Sequence, residues 1–302
     1  ASSLSGKFLI ENATIRFHKS YPSLKKVNAT AVFSKDQFIA KISSGFFTNI
    51  RVMSGKVNLK NLGSKNDNIN IDTTLSGPLK SAFFILDNKH FKFLSRFGLK
   101  SESVKGWTRT NLKFSFPITD KLDVQRIRFS SNSRVINASL PNNPLKEPIQ
   151  AGNFDLNIDK KGLNLVGNAS VDSSEIKISW KENFSKKNLN KRQIRLSGKF
   201  HERLQKRILN NIPIFSYITG PMKVDISLAE NWSGKKVLTS KILLNEANLK
   251  IPKINWKKPR GELGVVWVSA IVGGNGEVEV KNLDLKARDL QAKTSFQLDQ
   301  NG

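Results

Sequence analysis

Apolar and polar residues alternate in strand-length bursts from Lys7 to the last residues of the chain. Leu9, Ala13, Ile15 and Phe17 share one side, as do Ile69, Ile71, Thr73 and Leu75, and likewise Met222, Val224, Ile226 and Leu228. Leu290, Ala292, Thr294, Phe296 and Leu298 repeat the pattern near the end. A period of two is that of a pleated strand, so each burst predicts a strand with one apolar and one wetted face. Roughly 18 to 20 strands are expected. Among them are Val27–Phe33, Phe38–Ile42, Val57–Leu59, Leu112–Phe116, Ile127–Ser131, Phe154–Ile158, Ile176–Trp180, Lys241–Leu244 and Val278–Leu285. Turn signals such as Ser54-Gly55, Lys161-Gly162 and Gly273-Gly274 leave only short connections. Parallel crossovers need a dozen residues or more, so the pairing is predicted to be antiparallel.

Two segments break the rhythm. Residues 78–97 open with Pro78 and end at Gly98, with Leu79, Phe83, Leu86, Leu94 and Phe97 at helical intervals. Residues 200–211 place Phe200, Leu204 and Ile208 on one stripe, and Pro213 stops them. Both are predicted to be short helices that cap an end of the sheet, cover an edge, or simply pack. No shift in composition separates the halves, so residues 1–302 read as one continuous β-rich segment, expected to be a fragment of a longer chain. Open sheets rarely exceed ~10 strands without curling or splitting, and twist coils them. The predicted fold is mainly β, a long curled antiparallel sheet with two short helices. Its apolar side either fills itself, as in a sandwich or barrel, or stays open as a groove; small residues there (Ala13, Ala29, Ala31, Ala40, Ala169, Ala287, Ala292) favour unfilled space.

Composition narrows the chemistry. There are 50 Lys+Arg against 24 Asp+Glu, a net charge of +26, which attracts polyanions: nucleic acid, anionic headgroups or acidic glycans. Cysteine is absent, so no disulfide or thiolate chemistry is available. The longest uncharged stretch, Leu263 to Asn275, falls far short of the ~20 apolar residues of a membrane helix. His18, His90 and His201 are scattered, and no metal-ligand spacing or nucleophile elbow occurs. Gly273-Gly274-Asn275-Gly276 lacks the Lys-Ser/Thr of a phosphate loop and reads as a hairpin turn. No catalytic residue, metal site or cofactor is expected. Arg126 and Arg128 flank Ile127 on the wet side, and five tryptophans could stack bases. The basic residues are spread rather than striped, so nucleic acid is not the expected partner.

Several stretches, taken in order, resemble the AsmA-like proteins of Gram-negative bacteria, in particular the YhdP-type branch. They are Gly6 to Phe17; Ser44-Gly45 to Val52 with Gly55 to Leu59; Leu75-Ser-Gly-Pro-Leu79 leading into a helix; Lys161-Gly162 to Gly167 with Ile176–Trp180; and Asn245 to Pro252 followed by Asn255-Trp-Lys-Lys-Pro-Arg-Gly261. The resemblance spans nearly the whole chain and rests on the order and spacing of motifs. It implies a periplasmic protein anchored in the inner membrane through a segment not present here, with an apolar groove carrying phospholipid toward the outer membrane. It leaves envelope partner proteins unspecified.

Three readings follow. The first is a groove-forming, non-enzymatic lipid-transfer segment. Its candidate tail contacts are Ile15, Phe17, Phe33, Ile42, Ile71, Phe114, Phe129, Leu156, Leu165, Ile178, Val224, Ile226, Leu244, Val280 and Phe296, with Arg16, Arg126 and Arg128 at a basic rim. Each tail contact follows from alternation and serves equally as ordinary core. The second is a structural β scaffold docking through its basic surface to anionic membrane or polysaccharide. The third is a nucleic-acid-binding β protein.

Overall fold

The computed structural model describes residues 4–16, 22–64, 67–86, 103–118, 126–141, 147–209, 213–273 and 277–298. Its strands are β1 (Gly6–Ile15), β2 (Leu24–Phe33), β3 (Gln37–Phe47), β4 (Ile50–Lys60), β5 (Asn68–Pro78), β6 (Lys105–Pro117), β7 (Arg128–Leu140), β8 (Ile149–Asp159), β9 (Gly162–Val171) and β10 (Ser174–Asn183). They continue as β11 (Asn190–Phe200), β12 (Ile218–Thr219), β13 (Met222–Asn231), β14 (Lys236–Leu243), β15 (Asn248–Ile251), β16 (Trp256–Lys258), β17 (Gly264–Val272), β18 (Val278–Ala287) and β19 (Leu290–Leu298). Two helices, α1 (Leu79–Leu86) and α2 (Glu202–Leu209), interrupt them. Sixteen strands follow chain order in one open sheet, and β12, β15 and β16 form a small second sheet. The chain is therefore mainly β and antiparallel, with two short helices, as its alternation predicts. It divides into two compact units, residues 1–146 with 153–160, and residues 147–152 with 161–302.

Strands run longer than the bursts suggest, because breaks in the pattern are bulges rather than turns. Ser54-Gly55 lies inside β4 at a register shift against β5, not at a strand end. β1 carries a bulge at Asn12, whose φ is +49°, and the parity of the strand changes there. Leu9 therefore pairs with Thr30 and stands exposed, while Ile10 pairs with Ala29. A one-residue insertion redirects every side chain beyond it, which alternation counted along the sequence does not register. Lys161-Gly162 does join two neighbouring strands, and Gly273 closes the β17–β18 hairpin through its N–H to the Glu277 carbonyl at 2.8 Å.

Each unit contains the same local device. β5 ends in Leu75-Ser-Gly77 and passes into α1; β11 carries Leu196-Ser-Gly198 near its end and passes into α2. In both, the glycine lies against the start of the preceding strand. A Cβ on Gly77 would stand 3.0 Å from the Ile50 Cα, and one on Gly198 would stand 2.3 Å from the Glu175 carbonyl oxygen. The helix is then inserted between two adjacent antiparallel strands, β5 and β6 or β11 and β13. Residues 87–97 of the predicted first helix lie outside the described residues.

α2 has its polarity written at both ends. Glu202 occupies the first turn and Lys206 and Arg207 the last, matching the helix dipole, and Glu202 pairs with Lys206 at 2.8 Å. Leu204 is buried, and Gln205 donates to the Phe200 and Gly220 carbonyls at 2.7 and 2.9 Å, tying the helix to its flanks. Substituting Gly198→Ala forces backbone apart in the second unit and is expected to lower unfolding free energy by about 1–3 kcal/mol. Urea unfolding measures this, with the neighbouring Ser197→Ala expected to shift the midpoint little.

Candidate functional site: an apolar sheet face with a charged border

Cross-strand partners point to the same face, so the pairing registers sort side chains into transverse rows. In the first unit one row reads Phe33, Phe38, Leu59, Ile69 and Phe116. The next reads Phe8, Ala31, Ala40, Val57, Ile71, Phe114 and Phe129, and the third Ile10, Ala29, Ile42, Gly55, Thr73, Leu112 and Ser131. Phe8 lies 6.3 Å from both Phe33 and Phe38, and Phe114 lies 6.4 Å from Phe129, within the range of favourable ring contacts. Toward α1 the same face turns polar. Thr110 meets Ser133 at 2.9 Å and Thr108 at 3.3 Å, so the hydroxyls satisfy one another where no water is needed.

The second unit repeats the arrangement over eight strands. One row runs Ala169, Ile176, Gly198, Val224, Ile242, Val266, Leu285 and Ala292. The next runs Gly167, Ile178, Leu196, Ile226, Ser240, Val268, Leu283 and Thr294, and the third Leu165, Trp180, Ile194, Leu228, Leu238, Ala270, Val280 and Phe296. The first row is largely buried beside a cap made by α2, the turn Pro213–Tyr217 and the small sheet, whose Leu204, Phe215, Ile218 and Leu249 are buried, as are Phe200 and Met222 at the strand ends that flank it. In the other two rows Ile178, Trp180, Ile194, Leu196, Ile226, Leu228 and Leu238 remain half-exposed.

The cap is pinned by an unusual lysine. Lys258 is 1% exposed, and its Nζ donates to the carbonyls of Ala247, Pro259 and Glu262, each at 2.9 Å. Burial pulls its ammonium below the ordinary lysine value. All three protons are nevertheless spent on backbone carbonyls.

A charged row closes the other side of the apolar rows. Glu182 pairs directly with Arg192, and Arg192 with Glu230, across β10, β11 and β13. The Arg192 guanidinium donates from Nε and Nη2 to both Glu182 oxygens, at 2.7 and 3.1 Å, and from Nη1 to Glu230 at 3.1 Å. The Glu182 hydrogen bond holds the guanidinium above its ordinary value despite burial. Trp180 Nε1 also donates to Glu182 at 3.1 Å, and its ring lies 5.9 Å from the Arg192 Cζ. The two carboxylate side chains are 7% and 8% exposed, and Lys191 Nζ lies 3.6 Å from the second Glu230 oxygen, so two acids share the guanidinium and one more cation.

The structure brings many predicted contacts together. Phe33, Ile42, Ile71, Phe114 and Phe129 share the apolar face of the first unit; Leu165, Ile178, Val224, Ile226, Val280 and Phe296 share that of the second. Val224 and Val280 are buried, and Leu244 lies past the end of β14, fully buried beside Gly264. Ile15 stands exposed at the end of β1, Leu156 is half-buried in β8, and Phe17 lies outside the described residues. Arg16, Arg126 and Arg128 are exposed; Arg128 begins β7 opposite Ser115, on the polar face. The sequence reading passed over Glu182, Arg192, Glu230 and Lys258. Glu182 carries a readable signal, because it continues the parity of Ile176, Ile178 and Trp180 and so belongs to the apolar face.

The polar face of the second unit has its own relief. Two shallow depressions of about 520 and 490 Å³ share Arg195 and Ser197 and are lined mainly by polar-face residues such as Lys177, Ser179, Asp225 and Lys241. Among the described residues no group of three or more His, Asp or Glu side chains is placed to hold a metal ion, and no helix is long and apolar enough to cross a membrane. His201 bonds Ser174, its backbone N–H donating to the Ser174 Oγ at 3.0 Å.

The described residues thus form an open antiparallel sheet with one apolar face, ordered into rows and bordered by charge. The profile of the YhdP protein family matches residues 2–261, and the chain belongs to that family. No curated protein and no solved structure matches it.

Replacing Arg192→Met leaves the buried Glu182 without its cation and Glu230 with Lys191 alone, and is expected to cost about 3–5 kcal/mol at neutral pH. Urea unfolding of both proteins measures this difference.

Proposed function

We propose that this chain is a non-enzymatic carrier surface for phospholipid, acting in the periplasm as part of a longer protein anchored in the inner membrane outside this segment. The acyl chains lie on the apolar rows and lipid moves along them toward the outer membrane. The observation that supports this most is the run of apolar rows over the eight strands of the second unit, from Leu165 to Phe296, part-exposed from β9 to β14 and buried at Val268, Ala270, Val280 and Leu283. Strand spacing of about 4.8 Å makes each row roughly 34 Å long, and rows recur every ~7 Å along the strands. An apolar surface of that length, part-exposed over its first five strands, suits a long flexible apolar ligand better than a compact one.

Energy supplies the need. Each CH₂ withdrawn from water is worth ~0.8 kcal/mol, so two ~16-carbon tails oppose transfer through water by roughly 25 kcal/mol. A continuous apolar row removes most of that barrier without covalent chemistry, because successive positions offer nearly equal contacts. The charged row of Glu182, Arg192 and Glu230 marks where the apolar surface ends, and therefore where a polar headgroup would lie.

Purified protein examined by native mass spectrometry is expected to carry bound phospholipid. Leu196→Asp with Ile226→Asp should abolish the adduct, and Ser227→Asp on the polar face should leave it intact, with circular dichroism verifying the fold of each. A chain free of lipid that instead binds heparin in a salt-sensitive manner would favour the scaffold reading.

A further inference from the structure

One end of the second unit is built from turns that the apolar rows do not explain. The β10–β11 turn reads Phe184-Ser-Lys-Lys-Asn-Leu189, and the β13–β14 turn reads Trp232-Ser-Gly-Lys235. Leu189 is 86% exposed and Phe184 43% exposed, although a turn of this length could have been made entirely from polar residues. Neither segment contains an acid, and Lys186, Lys187 and Lys235 are exposed with no ion pair among the described residues. Glu182 and Glu230, two residues before these turns in the chain, are already paired with Arg192 and Lys191.

These turns are stitched together. The Trp232 indole N–H donates to the Asn188 carbonyl at 2.7 Å, Asn183 Nδ2 donates to the Asn190 carbonyl at 2.7 Å, and the Phe184 N–H donates to the Lys161 carbonyl at 2.9 Å. The apolar tips and the lysines are thus held as one platform rather than as independent loops. Its chemistry combines projecting apolar side chains, an amphipathic indole and a ring of unneutralised cations. Lysine stems lie along apolar surface while their ammonium groups reach phosphate, and tryptophan favours the boundary between hydrocarbon and water.

We propose that this platform docks onto the surface of an anionic lipid bilayer, with Leu189 and Phe184 entering the headgroup layer and the lysines contacting lipid phosphates. An acidic protein or a nucleic acid would be held by the charges but would give Leu189 no role. A neutral membrane would take the apolar tips but would not use the lysines. An anionic bilayer uses both.

Flotation with phosphatidylcholine vesicles containing a minority of phosphatidylglycerol tests the assignment. Binding is expected to anionic vesicles and not to pure phosphatidylcholine. The combination Lys186→Gln, Lys187→Gln and Lys235→Gln should weaken it by roughly 100-fold, about fivefold per lysine. Leu189→Ser with Phe184→Ser, at unchanged charge, should weaken it by roughly tenfold or more. Because the chain has no cysteine, Leu189→Cys carries a single polarity-sensitive dye, which should shift to the blue on the vesicles. Anionic-vesicle binding that survives both sets of substitutions, a dye that stays in water, or oligonucleotide binding of equal strength and equal sensitivity to the lysine substitutions would overturn the proposal. The assignment does not depend on the carrier reading: the turn variants leave Leu196 and Ile226 untouched, so lipid adducts in native mass spectrometry report on that reading separately.

Discussion

Strand register is the constraint on which the rest depends. Side chains alternate with a period of two, so a slip of one residue would exchange the apolar and polar faces of a strand. A one-residue slip of β11 against β10 would turn Leu196 outward and bring Arg195 to the apolar face beside Ile178. The chain fixes register with devices that work at a few points each. Gly77 and Gly198 allow only a close, single alignment with the preceding strand. The Glu182–Arg192–Glu230 contacts bind three strands through one guanidinium, and any slip would leave buried charge unpaired.

Charge therefore has separate tasks in different places. Arg192, half-buried, and Lys258, buried, act on the fold: one joins three strands at the edge of the apolar rows, the other gathers three carbonyls beneath the cap. The exposed lysines of the β10–β11 and β13–β14 turns have no such partners and face solvent. A net charge of +26 is mostly of this second kind, spread over wet faces and turns, where it shapes attraction to anions rather than stability.

Much of this was legible in the sequence, and the remainder was hidden for identifiable reasons. Ile69, Ile71, Thr73 and Leu75 keep their parity against β4 and β6, so the first-unit face could be read directly. Leu9 could not, because the left-handed Asn12 inserts a residue into β1 and no local propensity marks it. Val224 and Leu244 carry the same apolar signal as Ile226, yet the first two are buried and the last is half-exposed. That difference comes from the cap, which is assembled by elements distant in sequence. Glu182 was readable from its parity but looked like a surface acid until its partners were placed. The repeated Leu-Ser-Gly before each helix was visible as letters, and only the close approach of Gly77 and Gly198 gives it a meaning.

The central claim is that one face of the sheet, and not the other, meets acyl chains. Photo-crosslinking residues placed one at a time along β10, from Ile176 to Lys181, and at Phe129 and Arg128 on β7, test it most directly in intact cells. The account predicts lipid capture that alternates with the strand: at Ile178, Trp180 and Phe129, and not at Lys177, Ser179, Lys181 or Arg128. Capture without that alternation, or none at any position in a folded protein, would contradict it.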